Sequence, residues 1–230
     1  MGKLFSEQFA FAQGDSVVVI GLGRFGGAVA QSLISLGHDV MGIDRDADPV
    51  QVWADRLTHA VQADATNELV MRQLGVADFR HAIVGIGDNL AASLMTLMVL
   101  TELGVQDIWV KALTEDHGKI AQRMGAHHVV SPEVDMGERV AHLISGRMID
   151  YIELDDGFAI AKIHAPALAF GRSLADSGVR EKFGVTVVGI KRPGQDFSHA
   201  TPDSRVQPGD LLIVSGPTEK VEKFAGQARG

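Results

Sequence analysis

The chain has 230 residues, 46% of them hydrophobic and 22% charged, with a formal net charge of −8 and no cysteine. That length can bury a substantial core in one large domain or two small ones. The acidic balance argues against a broad nucleic-acid or anionic-membrane surface, and the lack of cysteine removes disulfides, thiolate catalysis and the usual zinc sites.

The first segment, "MGKLFSEQFAFAQG", has no basic stretch followed by a long apolar one, so it does not read as a secretory signal. It is expected to be an N-terminal arm over 1–14. The β-branched run Val17–Ile20 then predicts a buried strand that breaks on "GLGRFGG" and restarts as a helix, stopped at Gly37. Gly21, Gly23 and Gly26 form G-x-G-x-x-G directly after that strand. Gly21 permits the tight turn, Gly23 lets backbone approach a pyrophosphate, and Gly26 lets the helix pack against the strand. Free N–H groups at the helix start would face phosphates. Arg24 and Phe25 lie inside this turn. A guanidinium gains most where a terminal phosphate offers a two-pronged target, so Arg24 points to a reading of phosphate number rather than to hydride chemistry.

The second predicted strand, Asp39–Ile43, is closed by Asp44, with Arg45 following. A carboxylate there accepts ribose hydroxyls and repels a 2′-phosphate, which favours an adenine nucleotide with a free ribose over NADP. The third strand, His59–Gln62, leads into "ADATN". Asp64 and Ala65 stand where this fold places the adenine edge, although Asp64 could instead cap the next helix. The fourth, His81–Ile86, runs into "GDN", where chain reversal would open the binding crevice beside Gly87. "LAASLMTLMVLTELG" then reads as a helix apolar on nearly every face, which must be covered either within the domain or by another subunit. It is too short to span a membrane.

The fifth and sixth strands are Asp107–Lys111 and His128–Val130. Lys111 could reach a phosphate or snorkel to the surface. The adjacent His127 and His128 point to opposite faces and cannot share a metal. Glu133 reads either as a helix-start residue or as a ligand at the crevice edge. Strands alternating with helices predict an α/β fold, a Rossmann-like doubly wound parallel sheet over 15–133.

A connector helix is expected over 134–150. Within "SPEVDMGERVAHLISGRMIDYIEL" it places Val140, Leu143, Ile144 and Met148 on one face. A small α+β domain over 151–226 follows. Its predicted elements are a strand in "GFAIAKIHAP", a helix in "SLADSGVREKFG", a strand in "VTVVGIKRPG", a turn and strand in "VQPGDLLIVSGP" and a helix in "TEKVEKFAGQ". Only His164 and His199 offer imidazoles there, in strand and loop contexts, which is little for a dehydrogenase's acid–base work. No H-E-x-x-H, G-x-S-x-G or G-x-x-x-x-G-K-[ST] occurs, and no residue is assigned a catalytic role.

The segments "GLGRFGGAVAQSLISLGHDVMGID", "HAVQADATNE", "FRHAIVGIGDNLAASLMTLMVLTELGV", "IWVKAL", "GAHHVVSPEVDMG" and "LIVSGPTEKVEKF" together resemble the RCK (KTN) regulatory subunits of Ktr/Trk-type potassium uptake, nearest the KtrA-type group. The resemblance spans about residues 15 to 226 and includes both domains in order. It implies a cytosolic, non-enzymatic protein that dimerises within an octameric ring beneath a membrane potassium-translocating subunit. ATP and ADP, or NAD(H) in some branches, would bind the N-terminal domain and gate the transporter. By position, Gly21, Gly23, Arg24, Phe25 and Gly26 would wrap the phosphates, Asp44 would hold the ribose, and Asp64 would sit near the adenine. Arg24 would meet the γ-phosphate, and Glu133 matches a position linked to a divalent cation, Mg2+ or Ca2+. Some C-terminal domains of this type bind cyclic di-AMP, and residues around "GRSLADSGVREKFGVTVVGIKR" would line such a pocket. Asp64 stands where some relatives carry asparagine, which keeps an NAD(H)-binding redox sensor, or an NAD-dependent oxidoreductase, as the alternative.

Overall fold

Short runs of valine and isoleucine, each closed by a polar or glycine residue, build the first sheet. The computed structural model describes residues 16–144, 148–154 and 157–228; the arm expected over 1–14 lies outside them. The chain divides between Pro132 and Glu133 into two units.

In the first unit six strands lie parallel: β1 (Ser16–Ile20), β2 (Asp39–Asp44), β3 (His59–Gln62), β4 (His81–Val84), β5 (Asp107–Lys111) and β6 (His128–Val130). Their order is β3-β2-β1-β4-β5-β6, the doubly wound arrangement expected from the alternation of elements. Helices α1 (Arg24–Ser35), α2 (Ala47–Trp53), α3 (Glu68–Gln73), α4 (Leu90–Glu102) and α5 (Glu115–Arg123) alternate with them. One core gathers Ile20, Ile43, Met71, Leu97, Leu100 and Ile108, and a smaller one gathers Val17, Val19, Leu22, Ala30 and Val40. Strand β4 stops at Val84 rather than Ile86, because Gly85 leaves the sheet ladder to pack its backbone on Gly21.

Helix α4 buries Ser93, Thr96, Leu97, Val99 and Leu100 but leaves Leu90, Met95 and Met98 exposed at 45%, 47% and 44%. The first unit therefore covers only one face of this apolar helix. Its buried face is also partly polar. His117 of α5 is buried, and its Nδ1 accepts the Leu113 N–H at 3.1 Å. That bond leaves Nε2 to carry the proton toward Ser93 Oγ, 3.4 Å away.

All of α6 (Pro132–Ile144) but its first residue belongs to the second unit, which carries an antiparallel sheet of β7 (Asp150–Leu154), β8 (Phe158–His164), β9 (Thr186–Lys191), β10 (Phe197–His199) and β11 (Leu211–Pro217). The order is β10-β9-β11-β8-β7. Helices α7 (Leu174–Ser177), α8 (Val179–Phe183) and α9 (Thr218–Ala225) complete it. Phe224, Leu212, Ile163, Val214 and Tyr151 form its core. Asp210, closing the Q-P-G-D turn, is fully buried; it accepts the Gln207 N–H at 2.8 Å and the Arg192 Nε–H at 3.1 Å.

Three expectations for this unit need correction. Met148, placed on the face of the expected connector helix, is buried in the core but is not helical, and Asp150, where that helix was expected to end, opens strand β7. Pairing with β8 and the bond from Arg139 to Asp150, 2.5 Å, outweigh the helical spacing. The single helix expected in "SLADSGVREKFG" breaks into α7 and α8 at Gly178, whose φ of +65° is a left-handed conformation. His199, read as loop, lies on the short exposed strand β10.

Burial lowers the pKa of His117 from 6.5, so the folded chain holds this imidazole neutral where the unfolded chain takes up a proton. Stability is therefore full above about pH 6.5 and declines as pH falls below it toward the folded value. Urea melts between pH 7.5 and 5.5 should show that decline, and His117→Asn, which keeps an acceptor for Leu113, should flatten it. An equal pH slope in both proteins would refute this role.

Candidate functional site

In the order of the first sheet, the chain leaves β1 toward β2 on one side and reaches β4 on the other, so a crevice opens at the carboxyl ends of β1 and β4. Backbone meets backbone there. The Gly21 N–H donates to the Ile43 carbonyl at 2.8 Å, and the Gly85 N–H donates to the Ile20 carbonyl at 2.7 Å. Gly21 has φ +89°, and a Cβ on it would stand 3.1 Å from Gly85 C and Ile86 N. A Cβ on Gly26 would collide with the Gly21 carbonyl oxygen. One on Gly27 would come within 2.6 Å of the Trp53 ring, a packing constraint that the glycine motif does not signal.

Gly23 differs from its neighbours. It is the N-cap of α1, in an extended conformation with no side-chain cap, and a Cβ there would meet nothing within 4 Å. No packing demand explains this glycine. The open space lies before the first turn of α1, where the N–H groups of Arg24, Phe25 and Gly26 have no partner within the helix and no acidic side chain neutralises them. Arg24 is exposed and Phe25 half-buried.

Asp44 faces this turn from the end of β2. Its Oδ2 accepts the Leu22 N–H at 2.7 Å and its Oδ1 accepts the Asp46 N–H at 2.9 Å. The carboxylate thus ties the glycine turn to β2, a structural role that reading it as a ribose acceptor did not include. Each oxygen keeps further acceptor capacity for a hydroxyl. Arg45 is exposed, lies 3.7 Å from the Asp46 carboxylate and accepts the Gln62 Nε2–H on its carbonyl at 3.1 Å.

Asp64 Oδ1 accepts the Thr66 hydroxyl at 2.7 Å and the Thr66 N–H at 3.0 Å. Those bonds, the hydroxyl's first, hold its carboxyl below the usual range, with Arg45 adding a smaller pull. The cap of α3 is Asn67, which accepts the Val70 N–H at 3.3 Å, so the capping alternative for Asp64 is replaced by a closed local turn. Ala65 is buried against the core. Gly87 is exposed; a Cβ there would approach Lys111 Nζ to 3.2 Å. Lys111 is 8% exposed, a buried cation rather than a snorkelling one, and its Nζ lies 5.7 Å from the centre of the Phe25 ring. The crevice therefore brings together Gly21, Gly23, Phe25, Gly26, Asp44, Gly87 and Lys111. Glu133 stands in the first turn of α6, in the second unit. Among the described residues no group of three or more His, Asp or Glu is placed to hold a metal ion.

A second polar cluster sits at the other end of the sheet. Asp107 receives His81 Nδ1 at 2.7 Å, Trp109 Nε1 at 3.1 Å and His128 Nε2 at 3.2 Å, while His128 stacks on Trp109 at 4.0 Å. Partial burial pushes the Asp107 carboxyl up, but the bonds from His81 and Trp109 hold it below the usual range. His127 turns away to accept the Ile108 N–H at 3.1 Å, so the two adjacent histidines serve different neighbours.

Residues 17–132 match the TrkA-N domain and residues 158–227 the TrkA-C domain. The chain is 40% identical over 207 residues to Ktr system potassium uptake protein C of Bacillus subtilis (strain 168), covering 90% of this chain and 94% of that protein. It is 35% identical over 228 residues to Ktr system potassium uptake protein A of the same organism, covering 99% of each. Among solved structures, the GsuK channel superposes with a TM-score of 0.65 at 18% identity, over 93% of this chain and 39% of that one. The same channel bound to NAD gives 0.53 at 23% identity, over 96% and 39%. Bound to ADP it gives 0.52 at 24% identity, over 59% and 35%. This chain spans well under half of the channel's length, and the likeness at these identities is one of fold.

The two glycines of α1's start should separate on substitution. Gly26→Ala must push the helix off β1 and is expected to cost about 3 kcal/mol or more. Gly23→Ala, with open space for the methyl, should change stability by less than about 0.5 kcal/mol. Denaturant midpoints of the two variants check this, and equal losses would contradict the geometry.

Proposed function

The chain belongs to the TrkA-N/TrkA-C family of RCK-type potassium-uptake regulators, and on that premise we propose that it is a nucleotide-sensing gating subunit of a potassium transporter. The coarser part of this reading, a regulatory subunit of potassium transport, follows from the relatives. The nucleotide part is carried by one observation: Gly23 leaves unfilled space before an uncapped helix start flanked by Arg24 and Asp44.

The residues fit a nucleotide by their donor chemistry. N–H groups of Arg24, Phe25 and Gly26 would donate to phosphate oxygens, with Lys111 adding positive charge. Asp44 would take ribose hydroxyls, and Asp64, Ala65 and Arg45 would border the base. A bound ATP or ADP supplies phosphates whose number differs at the terminal position. Arg24, exposed at the start of α1, is the group suited to sense that difference, because a guanidinium grips a terminal phosphate with two parallel bonds. A ligand shifts a protein between two shapes only through unequal affinity for them. In this reading Arg24 supplies that inequality and the site performs no catalysis.

The proposal extends to the assembly: a homodimer within an octameric ring, bound on the cytoplasmic face to a membrane potassium-translocating subunit. Among the described residues no helix is long and apolar enough to cross a membrane; attachment to the membrane is proposed to be through that partner. Glu133 is proposed as a carboxylate ligand to Mg2+ or Ca2+. Cyclic di-AMP is proposed for the C-terminal unit near α7, α8 and β9. A second reading, an NAD(H)-binding redox sensor, draws on the NAD-bound GsuK channel and on Asp44, which suits a free ribose.

A thermal-shift titration with ATP, ADP, NAD, NADH and cyclic di-AMP ranks these ligands, since a ligand at a hundred times its Kd stabilises by about 2.7 kcal/mol. ATP and ADP are expected to stabilise most. Calorimetry on Arg24→Ala should show the ATP/ADP ratio narrowing about tenfold while ADP binding is largely kept. Equal loss of both nucleotides removes Arg24 as the discriminating group.

A further inference from the structure

His117 is 1% exposed, and both of its ring nitrogens are engaged. Nδ1 accepts the Leu113 N–H at 3.1 Å, and Nε2 faces Ser93 Oγ of α4 at 3.4 Å. Its backbone N–H donates to Thr114 Oγ1 at 3.1 Å. One residue of α5 therefore closes the β5–α5 loop twice, at Leu113 and at Thr114. The loop's other end is fixed by the sheet, where the Ala112 N–H donates to the Val130 carbonyl at 2.8 Å. Leu113 stands between these two anchorages and is 38% exposed.

A second proton on this ring has no place to go. An imidazolium donates from both nitrogens, so Nδ1–H would face the Leu113 N–H, donor against donor. The charged groups of the surrounding elements lie apart from the ring. On α5, Glu115, Asp116, Lys119 and Arg123 are exposed, and α4 carries only Glu102, at its far end. Strand β5 has Asp107 at its start and Lys111 at its end, and β6 opens on His128. Among the described residues no carboxylate bonds this imidazole, and burial is what lowers its pKa.

The least costly response to a proton is local. Leu113 is exposed, so its N–H passes to water once Nδ1 stops accepting, and the loop opens without breaking the sheet. That loop directly follows Lys111, whose Nζ lies beside Gly87 after β4, close enough to stand 3.2 Å from a Cβ there. Loop and crevice thus share one stretch of chain.

We propose that His117 is a proton-operated pin for the 112–114 loop: when neutral it holds the loop closed behind Lys111 and keeps the crevice ready for a nucleotide, and when protonated it releases Leu113 and weakens binding. The proposal rests on the nucleotide reading of this crevice and adds its regulation by pH. His117 is a positioning residue, acting through the loop rather than on the ligand. Coupling between two binding events is reciprocal, so a bound nucleotide must in turn make His117 harder to protonate.

An NMR titration of the full chain from about pH 7.5 downward tests this, with ADP as the probe. The His117 ring signal, assigned by its loss in His117→Asn, gives the protonation midpoint. Hydrogen exchange at the Leu113 amide should quicken about tenfold or more through that midpoint, while amides of β1 and β4 keep their protection. Saturating ADP should lower the midpoint by about one pH unit, which is a tenfold coupling. In calorimetry the wild type should lose about tenfold more ADP affinity across the midpoint than His117→Asn, the ligand's own titration being common to both proteins. A Leu113 amide that stays protected through the midpoint overturns the pin, as does simultaneous loss of protection in β1 and β4, which would be global unfolding. A midpoint unmoved by bound ADP overturns the coupling while leaving nucleotide binding intact. Wild-type protein that binds neither ADP, ATP nor NAD overturns the nucleotide reading and the coupling with it, and the Leu113 exchange still decides the pin.

Discussion

Backbone packed directly on backbone at the ends of β1 and β4 is the constraint from which the first unit is organised. Gly21, Gly26 and Gly85 meet there, and a Cβ on Gly85 would stand 3.1 Å from the Gly21 oxygen and 3.3 Å from Gly26 Cα. This approach pulls the first turn of α1 down onto the strand end and aims its free N–H groups into the crevice. Asp44 completes the fixture by pinning Leu22 and Asp46 with its two oxygens. Most groups assigned to nucleotide contact are thus held by backbone geometry or by carboxylate bonds, with little freedom left to lose when a ligand arrives.

The charge arrangement runs against the chain's overall balance. A protein with net charge −8 gathers Arg24, the buried Lys111 and an uncapped helix start at one end of the crevice. Asp44 stands at the end of β2 beside the glycine turn, and Asp64 closes a local turn after β3. The two cations differ in kind. Arg24 is exposed and free to follow a phosphate, whereas Lys111 is buried and positioned by its surroundings.

Much of the fold was legible in the sequence because parallel strands buried on both faces read as short β-branched runs. All six strands of the first sheet begin within one residue of where the sequence places them, and the order follows from the alternation of elements. The misreadings lie where tertiary pairing overrode local pattern. The helix expected to run to Asp150 gives way there to a strand that pairs with β8; β10 is too short and exposed to announce itself; Gly178 splits one helical pattern into two. At the site, Gly21 and Gly26 were legible because backbone packed on backbone leaves no room for a Cβ, and Asp44 because it closes the strand beside that turn.

The sequence by itself determined a glycine-rich strand-to-helix turn, an acid closing the second strand, an arginine among the glycines and the order of two domains. These depend on local backbone freedom and hydrophobic periodicity, which are written into consecutive residues. Only the tertiary structure decided that Lys111 is buried over Phe25, that Asp44 also anchors Leu22, that Asn67 rather than Asp64 caps α3, and that α4 keeps an uncovered apolar face. Each depends on which distant segments the sheet order brings side by side. That proximity has no signature in any one stretch of chain.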